Sequence, residues 1–123
     1  MNKIVNIKIF NNILDNFISF IEGNFPQVRS QLLLSKNSLE FVRKANPRMV
    51  VEQFMIAALP YRKNIFDCDQ DFFIKEYDSK KNEDDFLSSL NLKEVWLADT
   101  TSDIQKAQIF LYFQQLIKAG EKC

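Results

Sequence analysis

Asp67, Asp69 and Asp71 stand at alternate positions in DCDQDFFIKEYD, residues 67–78, the spacing at which an EF-hand loop presents its first oxygen ligands. Such a loop surrounds a hard cation with carboxylate and carbonyl oxygens, and it needs a sharp turn at its sixth position and a bidentate Glu at its twelfth. Here the sixth position is Phe72, for which a left-handed backbone costs roughly 1–2 kcal/mol, and the twelfth is Asp78, one methylene short. Lys75 at the ninth position would bring a positive charge to the cation. The three departures outweigh the three matches, so the stretch reads as a solvated acidic turn ahead of an apolar anchor, with no metal site. Asp69 or Asp71 fits equally as the N-cap of a short helix opening at FFIKE.

Other chemistry-bearing residues are sparse. The chain has no His, which removes the commonest general base, proton shuttle and zinc ligand together. Cys68 and Cys123 lack CxxC spacing, so neither a disulfide framework nor a redox pair is indicated, and one internal thiol gives zinc too few ligands. Cys68 as a nucleophile would depend on Lys or a helix N-terminus for activation, whereas a free Cys ordinarily behaves as a small apolar side chain. With Gly23 and Gly120 as the only glycines, neither a phosphate-cradling loop nor a dinucleotide fingerprint can form. Asp84 and Asp85 lie in a charged stretch with no apolar pocket near them in sequence and read as a solvated face. The expectation is a non-enzyme with no catalytic residues, no cofactor and no small-molecule substrate.

Sixteen basic and sixteen acidic residues cancel, so no global field exists to hold a polyanion, and phosphate neutralisation supplies most nucleic-acid affinity. A local cluster remains: Arg43, Lys44 and Arg48 surround Asn46-Pro47, with Arg62 and Lys63 further on. A nucleic-acid-associated factor using Arg43, Lys44 and Arg48 is therefore the alternative reading, and it requires salt-sensitive binding.

The elements that must position these residues are helical. Phe10, Ile13, Leu14, Phe17, Ile18 and Ile21 recur at three and four, while Lys8, Asn11, Asn12, Asp15, Asn16, Ser19 and Glu22 fill the opposite face. This amphipathic helix ends at Gly23-Asn24, and its polar face has the wrong charge balance for anionic lipid. Pro26 can open a second helix, with Val28, Leu32 and Leu33 facing inward. The polar SKNS run, residues 35–38, is expected to interrupt it before a short continuation through Leu39, Phe41, Val42 and Ala45. Asn46 as N-cap and Pro47 at the first position open a helix carrying Val50, Val51, Phe54 and Met55 to about Leu59, where Pro60 kinks or restarts the chain.

A short helical turn or two is expected within residues 61–76. DSKKNEDD, residues 78–85, is the expected mobile loop. Phe86, Leu87 and Leu90, then Leu92, Val95, Trp96 and Leu97, suggest two short helices. Ser102-Asp-Ile-Gln105 fits a capping box for a last helix that runs to Gly120, a residue suited to a left-handed cap. Its IFLYF centre, residues 109–113, is apolar on every side, as in a helix central to a core or shared with a partner. Only residues 3–9 offer a faint strand pattern.

These elements predict an all-α, compact single-domain bundle of about five to seven helices over residues 1–123. The 46% hydrophobic content, with twelve Phe, is ample for one core at this length. Asn and Lys break the apolar run of MNKIVNIKIFNN before a signal-peptide core could form, and no stretch approaches the roughly 18 apolar residues of a membrane span. A soluble cytoplasmic protein is expected.

NPRMVVEQF, LPYRKNIF, FFIKEYD, a Trp-containing helix and IQKAQIFLYFQQLIKAG, in that order, resemble the small uncharacterised helical proteins of large nucleocytoplasmic (giant) DNA viruses over roughly residues 46–120. The resemblance implies production in an infected cell, in host cytoplasm or virion, and brings no catalytic or ligand residue. The reading that follows is a helical protein-interaction or structural protein, binding a protein partner or a second copy. Phe72, Phe73 and Tyr77 are its candidate partner-binding residues, since aromatic side chains in a loop can anchor an interface; the alternative reading is that they pin the loop to the chain's own core.

Overall fold

The computed structural model describes residues 3–26, 29–69 and 101–123. Helix α1 spans Lys3–Asn24, α2 Arg29–Ala45 and α3 Pro47–Ala58. A 3₁₀ turn at Leu59–Tyr61 leads into the short α4, Arg62–Phe66, and α5 spans Asp103–Glu121. The described residues are all-α, with no strand among them. None of their helices is long and apolar enough to cross a membrane. The acidic loop at 78–85, the two short helices expected after it, and Asp71, Phe72, Phe73 and Tyr77 lie outside the described residues.

Two helix starts follow directly from local chemistry. The Arg48 backbone N–H donates to Asn46 Oδ1 at 3.1 Å, and Pro47 takes the position whose missing N–H costs nothing. At α5 the Gln105 N–H donates to Ser102 Oγ at 3.1 Å and the Ser102 N–H to Gln105 Oε1 at 2.9 Å, a complete capping box. Pro60 sits in the 3₁₀ turn, where the chain leaves α3 and restarts as α4.

One core unites these helices. From α1 it takes Phe10, Leu14, Phe17, Ile18 and Ile21, from α3 Val50, Val51, Phe54 and Ala58, and from α5 Ile109, Phe110, Phe113, Leu116 and Ile117. Helices α1 and α5 are antiparallel: Asn6 Nδ2 donates to the Lys122 carbonyl at one end, and Gln105 Nε2 to Asn24 Oδ1 at the other. Between those ends the Phe17 ring meets Phe113 at 5.3 Å, edge to face. Phe54 of α3 lies between Phe10 and Phe113, with ring centroids 5.4 and 6.1 Å away. Rings so arranged add to the roughly 1.5–3 kcal/mol that burying each large apolar side chain contributes. Helix α4 docks on α5 through Gln114, whose Nε2 donates to the Ile65 carbonyl, and through Phe66, which lies under the cations of Arg62 and Lys118.

Five local expectations give way to packing. Residues 3–9 are helical rather than extended, because propagating α1 satisfies each added N–H while no partner strand stands among the described residues. The SKNS run does not interrupt α2: Leu32 and Leu39, seven apart, are both buried, and Lys36 between them pairs with Glu22 of α1 at 2.9 Å. Holding one face on both sides of the run outweighs the few tenths of a kcal/mol that Ser and Asn each lack in helix propensity, about 0.5 per residue. In consequence Leu33 turns outward instead of inward. Asn11 is buried rather than on the wet face, its Nδ2 donating to the Ile7 carbonyl one turn back. Gly120 is not a left-handed cap but an interior residue of α5, where a Cβ would run into the Met55 sulfur of α3.

Candidate interaction surface

With α2 continuous, its seventeen residues have two distinct sides. Leu32 and Leu39 fix the inner one. At about 100° per residue, Phe41 lies some 200° round from Leu39, and Leu34 stands two turns before Phe41 on that same outer side. Both are largely in solvent, Leu34 at 69% and Phe41 at 78% of full exposure, and Leu33 on the flank is 57% exposed. Single apolar side chains in water are ordinary, as Ile56 on α3 and Ile104 on α5 are here. Three large ones within two turns of a helix held rigidly from behind are an available contact surface.

That backing is electrostatic as well as apolar. Arg43 donates from both terminal nitrogens to Asp15 of α1, at 2.8 and 3.0 Å, and lies 3.4 Å from Glu40 on its own helix. Lys36 bonds Glu22 one end further along, so two ion pairs seven residues apart lock α2 onto α1 in a single register.

The same pairs answer for the basic cluster. Arg43 is engaged by two carboxylates, Arg48 lies 3.6 Å from Glu52 on the next turn of α3, and Lys44 is exposed. Arg62 reaches Glu121 at 3.2 Å. The structure therefore brings Arg43, Lys44 and Arg48 to the α2–α3 corner but matches two of the three with acids.

Asp67 and Asp69 lie at the end of α4. The Asp69 N–H donates to the Asn64 carbonyl at 2.9 Å and the Cys68 N–H to the Ile65 carbonyl at 3.2 Å, the paired bonds of a Schellman cap. Cys68 occupies its left-handed position, with φ of 55°. Asn64 Nδ2 donates to Asp69 Oδ2, tying that carboxylate to the cap. No group of three or more Cys, Asp or Glu side chains among the described residues is placed to hold a metal ion. Cys123, at the end of α5, donates its thiol to the Ala119 carbonyl, and burial pushes that thiol's pKa up, with Arg48 opposing.

Phe72, Phe73 and Tyr77 lie outside the described residues, so the surface that the structure does present is a different one. The sequence alone does not pair Leu34 with Phe41, because SKNS reads as a break between them. Treating residues 29–45 as one period would have set Leu32 and Leu39 against Leu34 and Phe41 at once. No protein-family model, curated protein or solved structure matches the chain.

Proposed function

We propose that this chain is a non-enzymatic helical interaction protein that holds another protein chain against the outer face of α2. The observation that carries the reading is the pair Leu34 and Phe41, 69% and 78% exposed on a helix whose opposite side is core. Covering two such side chains contributes on the order of 1.5–3 kcal/mol each, enough to anchor a contact when shape and rim agree. In this reading the full chain forms one bundle of about five to seven helices and works in the cytoplasm. Phe72, Phe73 and Tyr77 would extend the contact. The viral setting rests on the resemblance of residues 46–120 alone.

The test is the double variant Leu34→Ser, Phe41→Ser. Because both side chains face water, stability should stay within about 0.5 kcal/mol of the parent. Partners recovered by affinity capture with the parent chain, or its own dimer by mass measurement, should disappear. Unchanged partners and unchanged mass would sink the reading, and so would unfolding, since the two residues would then be core.

The pairing of Arg43 and Arg48 argues against the nucleic-acid reading, because binding phosphate there would first require their carboxylates to be displaced. Titration with duplex DNA and single-stranded RNA is expected to show no affinity that climbs as salt is lowered. A steep salt slope that Arg43→Gln, Lys44→Gln and Arg48→Gln together abolish would restore it.

A further inference from the structure

We draw no further inference here: the strongest candidate, the cleft of about 260 Å³ between α1 and α2 lined by Asp15, Ile18, Ser19, Lys36, Leu39 and Glu40, has its charged side chains already engaged, Lys36 by Glu22 and both Asp15 and Glu40 by Arg43, and nothing in the structure shows what would occupy it.

Discussion

Helix α1 is gripped on two sides by different forces. Toward α5 the contact is aromatic: Phe17 and Phe20 meet Tyr112 at 5.3 and 5.5 Å, Phe17 meets Phe113, and the residues beneath them are buried. Toward α2 the contact is narrower in apolar content and is aligned by Glu22–Lys36 and Asp15–Arg43, whose carboxylates are 41% and 50% exposed. Apolar burial scales with area and ignores direction, whereas a bidentate guanidinium–carboxylate pair fixes angle and register while adding little free energy in water. The first seam should therefore set how stable the molecule is, and the second where α2 points its outer face.

The sharpest way to break that comparison is Phe113→Ala. Phe113 is fully buried and touches the rings of both Phe17 and Phe54, so truncation opens a void where α1, α3 and α5 meet. A loss of about 3–5 kcal/mol is expected, a large share of the roughly 5–15 kcal/mol that a domain commonly has. Urea unfolding followed by helical circular dichroism measures it. A loss below about 1 kcal/mol would mean that the aromatic seam is not the main source of stability.

Arg43→Gln probes the other seam. The Arg43 side chain is mostly covered, 19% exposed, yet its Asp15 partner stands half in water, so the solvent-screened loss should be no more than about 1 kcal/mol. The difference between parent and variant should shrink further in 1 M salt, where the screening length falls to about 3 Å. Denaturation of both proteins at low and high salt reads it directly. A salt-independent loss matching that of Phe113→Ala would show that the two seams do the same job.

The two seams were unequally legible in the sequence. The two helices of the α1–α5 seam, though not their pairing, could be read because their signals are local: apolar residues at three and four along α1, and a capping box at Ser102 that both partner bonds confirm. The same holds for Asn46-Pro47. The α2 side was obscured because SKNS is a weak helix former by itself, and only Leu32, Leu39 and the ion pair of Lys36, all contacts with other elements, override it. Gly120 was misread for a related reason. A glycine near a helix end signals a left-handed cap when no neighbour is known, but here Gly120 stays helical and the Met55 side chain of α3 packs where a Cβ would stand. Leu111 marks the limit of composition: within IFLYF, Ile109, Phe110 and Phe113 are buried and Tyr112 partly so, while Leu111 is half in solvent.

The smallest effect expected sharpens the α5 side. Helix α4 docks there through Gln114, and its cap places a side chain, Cys68, where the backbone favours glycine. A residue with a Cβ loses roughly 1–2 kcal/mol in that conformation, while glycine surrenders about 0.5–1 kcal/mol more chain entropy on folding. Cys68→Gly should then leave the protein more stable by about 0.5 kcal/mol. It also removes the thiol that accepts from Gln114 at 3.5 Å, a long contact next to the 3.0 Å bond from the same amide to the Ile65 carbonyl, so little opposes the gain. A rise in thermal midpoint of a few degrees, with helical content unchanged, is the result that fits. A fall would mean that the sulfur, and not the capping backbone, holds α4 against α5.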